Sequence, residues 1–435
     1  MNERDREIAR LAVPALGALI AEPLYILADT AVVGHLGTPQ LAGLALAASI
    51  LLTANYLCVF LAYGTTAAVA RLLGAGDERG AAHQAVQGLW LALFIGAGIG
   101  AVLAVVGPWL VGALGGDGEV AHHALLYLRV SLLGLPPLLA TLAGTGYLRG
   151  LQDTRTPLAV AVVASLVNLV LEVVAVYGFH RGIGASAAAT VVVQWGAAAV
   201  YVRVVARGAT RLGVGLAPAW STLRRLLVVA GALVVRTGAL RGAFVLATAV
   251  AARIGTAALG AHQVAFELWT ALALALDALA IAGQALVGRF LGAGSVDEAK
   301  AVGRRMLELG AGFGVVTGLL VVALHGVLPA LFTDDHDVRR QAGFVLWFVA
   351  AMQPVNSIVF VLDGLLIGAG DLGFLAKAMA GAAAVFGIAG GLVLATGGGL
   401  GWLWTALFLF MVARCVPMLR RWQGGRWAVV GAVVR

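Results

Sequence analysis

Long stretches without a single charged side chain decide what this chain can become. Asp, Glu, Lys and Arg are all absent from 41–70, 84–116, 182–202, 309–324, 341–362 and 378–413. A bilayer core takes roughly 20 apolar residues per helical crossing, so each run is long enough to cross at least once or to form most of a crossing. With 61% hydrophobic and 11% charged residues and a mean hydropathy of +0.97, the chain departs from the ~45–50% apolar and about 25% charged content of soluble domains. A water-soluble enzyme and a disordered chain are both excluded. The net charge of +8 would suggest nucleic acid in a soluble protein. Here the basic residues fall in short breaks between apolar runs, where they orient membrane helices, and no nucleic-acid partner is expected.

The 378–413 run is too long for one span, and GGGLG at 397–401 divides it. Twelve helices follow, at 10–35, 41–70, 84–114, 122–148, 156–178, 183–205, 226–252, 256–288, 302–331, 340–368, 374–396 and 400–420. The basic residues test that count. With the N-terminus inside, 22 of the 29 Lys and Arg face the cytoplasm, Arg71, Arg149, Arg305, Lys377, Arg414 and Arg435 among them. Only Arg181, Arg253, Arg339 and Arg340 fall outside. So strong a bias follows the positive-inside rule and predicts that both termini are cytoplasmic. Arg129, Arg236 and Arg241, within or near helices, are expected to snorkel or to pair with acids. The first run carries Pro14, Glu22 and Pro23 and continues to His35 without a small-residue cleavage site, which predicts a retained helix. Cys58 and Cys415 lie far apart in apolar runs and offer neither a disulfide framework nor metal spacing.

A shift of 218 positions aligns the two halves. LGTPQLAGLALA from Leu36 meets IGTAALGAHQVA from Ile254, and ARLLGAGDE at 70–78 meets GRFLGAGSVDE at 288–298. Pro136 falls on Pro354, Gly150 on Gly368 and Asp153 on Asp371. Each half has six spans, so the repeats are parallel, related by an axis along the membrane normal, with a substrate site expected near their interface. The expected organisation is an N-terminal bundle over 1–206, a cytoplasmic linker over 207–225, a C-terminal bundle over 226–421 and a cytoplasmic tail over 422–435. The fold class is an all-α integral membrane protein of twelve helices in two parallel repeats.

An ionisable residue in mid-membrane costs roughly 2.5–3.5 kcal/mol on insertion scales, so each needs a reason. Glu22 and Asp29 are seven apart in the first helix; Asn168 and Glu172 are one turn apart in the fifth. Asp29 and Glu172 sit at similar depth and are placed to meet inside the N-terminal bundle. In the 218 register Asp29 maps to Ala247, Asp363 to Thr145 and Glu172 to the neighbourhood of Gly390. Acids that glued the architecture would recur in both halves, and this lopsidedness favours function. Asp29, Asn168, Glu172 and Asp363 are therefore candidates for proton or ion coupling, with a structural acid paired to a helix-borne donor as the competing reading. Glu22, Tyr25, Tyr147, Gln194, Asp277, Gln284 and Asn356 are the candidates for a substrate cavity. No stretch reads as a phosphate-binding loop, so an ion gradient is the expected energy source. No catalytic constellation, cofactor or metal site is nominated.

The same residues resemble the multidrug and toxic compound extrusion (MATE) family, particularly its DinF-like branch. The matching segments are ADTAVVGHLGTPQLAG at 28–43, GYLRGLQDTRTPL at 146–158, LGAHQVAFELW at 259–269, LALDALAIAGQALVG at 274–288 and VLDGLLIGAGD at 361–371. The resemblance implies the 6+6 parallel repeat and a coupling acid at Asp29. It also implies a polar pair at Asn168 and Glu172 and a tenth-helix acid at Asp363. Sodium-coupled relatives place a Glu early in the seventh helix, whereas VVRTGALRGAF at 234–244 has no acid. That departure puts sodium coordination in doubt and favours protons.

The leading expectation is a secondary antiporter in the inner (plasma) membrane, acting as a monomer. It would export organic, cationic or amphipathic compounds in exchange for protons by alternating access, with membrane lipids as its other partners. A flippase for a lipid-linked saccharide is the near alternative. An integral membrane lipid-processing enzyme is the alternative from another class, but it would need a nucleophile or metal cluster at one interface, and none is found.

Overall fold

The computed structural model describes residues 3–34, 36–178 and 182–432. His35, Arg181 and Arg435, used above in reading the first helix and the charge bias, lie outside the described residues. Within them the chain forms α1 (Glu3–Gly34), α2 (Thr38–Cys58), α3 (Phe60–Gly74), α4 (Glu78–Ala113), α5 (Gly118–Ser131), α6 (Leu135–Gly150) and α7 (Arg155–Val173). It continues as α8 (Ile183–Arg211), α9 (Trp220–Ile254), α10 (Thr256–Gly292), α11 (Val296–Leu324), α12 (His336–Gly368), α13 (Leu372–Ala395) and α14 (Leu400–Gln423). These make 12 segments long and apolar enough to cross a membrane, one for each expected span.

Three spans expected to be continuous are interrupted: the one expected over 302–331 leaves the α-helix after Leu324 and ends in a 3₁₀ segment, Leu328–Leu331, and two others break near their middles. α2 and α3 part at Val59. α5 gives way to a 3₁₀ turn, Leu132–Gly134, before α6 opens on Pro136 and Pro137, which supply no backbone N–H to the preceding turn. α1 also starts earlier than expected, at Glu3. Glu3 and Asp5 in its first turn complement the helix dipole. Its leading turns are then held by ion pairs from Asp5 to Arg305 (2.7 Å), Arg4 to Glu298 (3.2 Å) and Glu7 to Arg289 (3.5 Å).

Two compact units result. One is Val13–Ala230; the other runs from Gly231 onward and includes the chain up to Ala12. The duplication is written into their backbones. Left-handed φ angles recur 218 residues apart, at Gly37 and Gly255 (116° and 152°), Gly76 and Gly294 (76° and 77°), and Gln152 and Gly370 (61° and 74°). After the last pair, Asp153 and Asp371 each turn back to donate to a carbonyl five residues earlier, on Leu148 (2.8 Å) and Leu366 (3.0 Å). Helix contacts repeat as well. A methyl group added at Gly96 would stand 2.6 Å from Pro136 Cα, and one at Gly314 would stand 2.9 Å from Pro354 Cα. Small residues let membrane helices approach backbone to backbone, and here one such contact serves both halves.

Candidate functional site

α7 is inside out by the standards of a soluble helix. Its buried residues are Pro157, Asn168 and Glu172, while Val163, Leu166 and Val170 are exposed. Lipid favours the valines and leucines, so the helix turns its two polar side chains inward. Asn168 and Glu172, four apart, necessarily share that face. Glu172 is wholly buried and Asn168 is 2% exposed. From α1, Asp29 arrives at 6% exposure in a helix whose neighbouring positions face outward.

Ser186, on the first turn of α8, joins the two acids. Its Oγ lies 3.0 Å from Asp29 Oδ1 and 2.8 Å from Glu172 Oε1. A hydroxyl carries one hydrogen and two lone pairs, so Ser186 can donate to only one carboxylate at a time. The second bond forms only when the other carboxyl itself brings a proton. One turn along, the Tyr25 and Thr190 hydroxyls are 2.9 Å apart. No ion pair reaches Asp29 or Glu172 among the described residues. Both amide atoms of Asn168 and Oε2 of Glu172 have no hydrogen-bond partner there. Buried polar groups are nearly always bonded, so this cluster holds unused capacity.

Asp363, the acid of the other unit, has an opposite setting. Arg236 of α9 donates to it through Nε (3.2 Å to Oδ1) and through Nη2 to Oδ2, and Arg414 of α14 adds Nη2 at 3.0 Å to Oδ2. Arg236 thus pairs with an acid, as expected. Arg414, counted among the cytoplasmic basic residues, is 2% exposed inside the helical bundle, with its guanidinium 5.6 Å from the Phe410 ring centroid. Breaking a buried pair leaves an uncompensated charge, which ties Arg414 to the interior position of Asp363.

The remaining candidates scatter. Tyr25 belongs to the Asp29 cluster through Thr190, whereas Glu22 is exposed. Tyr147 is buried on α6 and its hydroxyl approaches Gly208 of α8; Gln194 of α8 packs on Gly134. Asp277 of α10 is within electrostatic reach of Arg414. Gln284 and Asn356 are buried on α10 and α12, and the Asn356 amide has no hydrogen-bond partner among the described residues. Ser186 and Thr190 carry no distinguishing signal in the sequence. Their only trace in the sequence is the four-residue spacing of two hydroxyls in the apolar run IGASAAATVVV, a pattern common in membrane helices. Among the described residues no group of three or more His, Cys, Asp or Glu is placed to hold a metal ion.

The family profile of MatE matches residues 14–174 and 240–393, most of both halves. The chain belongs to the MatE family. MATE proteins are transporters, and this chain is a multi-pass membrane protein of that multidrug efflux family. It is 35% identical over 431 residues to Protein DETOXIFICATION 44, chloroplastic, of Arabidopsis thaliana, covering 94% of this chain and 80% of that one. It is 30% identical to DNA damage-inducible protein F of Escherichia coli, over 98% of this chain and 95% of that one. A MATE crystal structure in a bent conformation superimposes with a TM-score of 0.87 at 20% identity, covering 98% and 96% of the two chains. At that identity the likeness establishes the shared MATE fold.

Proposed function

We propose that this MATE protein is a proton-coupled antiporter that exports organic, cationic or amphipathic compounds across the plasma membrane, with both termini cytoplasmic. The observation that carries the reading is the sharing of one serine hydroxyl by two buried acids. With one proton on the pair, a continuous chain forms: one carboxyl donates to Ser186 and Ser186 donates to the other carboxylate. Removing that proton leaves two negative groups around a hydroxyl able to satisfy one of them, and like charges so placed repel. The pocket therefore has two states that differ by one proton. An organic cation relieves the deprotonated state, and a proton relieves it in the cation's absence, which is the exchange an antiporter needs.

Asp363 supports protons over sodium. A hard cation seeks several oxygen ligands, and both carboxylate oxygens of Asp363 are already bonded to arginines. The test uses purified protein in lipid vesicles with a fluorescent organic cation. An imposed pH gradient is expected to drive exchange, and a sodium gradient at clamped pH is expected to drive none. Robust transport in the second condition would overturn proton coupling.

A further inference from the structure

A groove of about 560 Å³ opens where α13 begins and α14 ends. Its walls are apolar: Phe374 on one side, Val416 and Pro417 on the other. Its rim is basic, with Arg420, Arg421 and Arg426. Arg421 is already committed. Its Nε donates to Asp371 at 2.6 Å and Nη2 at 3.2 Å, and its guanidinium lies 5.1 Å from the Phe374 ring centroid. Arg420 and Arg426 are exposed and have no side-chain hydrogen bond or ion pair among the described residues. Asp371 balances one of three charges, so two positive charges are left over an apolar floor.

The rim is held in place. Past α14 the chain turns at Gly425 (φ 68°). Trp422 and Trp427 stack with centroids 4.1 Å apart, and Trp427 Nε1 donates to the Trp422 carbonyl at 2.8 Å. Trp427 is 1% exposed, and Gly431 N bonds the Leu291 carbonyl at 3.1 Å. Arg426 therefore projects from a segment anchored on both sides. In the other half Arg421 and its partner Asp371 recur as Arg203 and Asp153, but the two uncommitted arginines do not. In the 218 register Phe374, Arg420 and Arg426 correspond to Thr156, Val202 and Gly208.

We propose that this groove binds the headgroup of an anionic phospholipid, with the phosphodiester between Arg420 and Arg426 and the start of an acyl chain against Phe374, Val416 and Pro417. α13 and α14 both cross the membrane, so their ends lie at headgroup depth. Basic pockets between membrane helices suit such headgroups. A free inorganic anion would use the arginines and leave the apolar floor in water; a phospholipid uses both.

Native mass spectrometry of the full chain, released from micelles doped with phosphatidylglycerol or with phosphatidylcholine, tests the assignment. The wild type is expected to retain phosphatidylglycerol and not phosphatidylcholine. Arg420→Gln with Arg426→Gln is expected to lower retention roughly thirtyfold, as the loss of two surface charges near an anionic lipid predicts. Arg207→Gln with Arg211→Gln, an equal charge loss on exposed arginines at the end of α8, is expected to leave it unchanged. Equal loss in both pairs would mean diffuse attraction and overturn the site, as would undiminished retention in the first pair or equal retention of phosphatidylcholine. Displacement of the bound lipid by millimolar inorganic phosphate would make the groove a free-anion site and overturn the lipid assignment.

Discussion

The two halves share a fold and treat a buried acid in opposite ways. In the first, Asp29 and Glu172 are joined by Ser186 and receive no ion pair among the described residues. In the second, Asp363 is held by Arg236 and Arg414. The 218 register shows how completely the roles were divided. Asp29, Asn168, Glu172 and Ser186 correspond to Ala247, Phe386, Gly390 and Trp404, so the polar pocket of one half is filled by aromatic core in the other. Conversely Asp363, Arg236 and Arg414 correspond to Thr145, Ala18 and Gly196. Duplication supplied two equal frames. Low dielectric then made each polar insertion expensive, so each half carries a different one. Asp29 and Glu172 share a hydroxyl and have no cationic partner among the described residues, whereas Asp363 is bonded to two guanidiniums.

The largest expected effect comes from removing the acid proposed to carry the coupling proton. Asp29→Asn is near-isosteric and keeps a hydrogen-bond acceptor, yet cannot exchange a proton. Gradient-driven efflux in vesicles is expected to vanish while the melting temperature in detergent stays close to wild type. Full transport by this variant would break the contrast. Asp363→Asn is expected to do the reverse. It leaves two buried guanidiniums short of a counterion and costs about 3–5 kcal/mol, seen as a lowered melting temperature; an unchanged melting temperature would show that the arginine pair does not depend on the acid. The smallest effect, and the sharpest, belongs to the bridge. Ser186→Ala removes one hydrogen-bonded hydroxyl, costing about 1–3 kcal/mol if the acids are left unsatisfied. It is expected to move the pH midpoint of transport without abolishing it, and Glu172→Gln is expected to make that midpoint insensitive to the serine. Additive midpoint shifts in the Ser186→Ala, Glu172→Gln double variant would mean that the serine does not link Glu172 to Asp29.

Most of the architecture was legible because lipid imposes a coarse rule. Runs such as 41–70 and 341–362 contain no charge and cannot easily be anything but spans, and TPQLAG against TAALGA betrays the repeat. The meeting of Asp29 with Glu172 was legible from depth and from the four-residue spacing to Asn168. Three things were not. Ser186 is chemically ordinary in a membrane helix, so only the fold shows that it faces two acids. Arg414 lies six residues before Arg420, close enough to a helix end to be counted with the exterior charges, and only its burial beside Asp363 separates it from them. The break at Val59 has no proline or glycine to announce it.

The leading turns of α1 carry a further consequence, for the order in which the protein is made. Asp5 and Glu7 are synthesised nearly three hundred residues ahead of their partners Arg305 and Arg289. The Val13–Ala230 unit has all its residues while those acids still wait. At about 5–20 residues per second, synthesis from the end of that unit to Arg305 takes on the order of ten seconds. For that interval all residues of one unit exist while the ion pairs from α1 to Arg289 and Arg305 cannot yet form, and the other unit closes them when it is made.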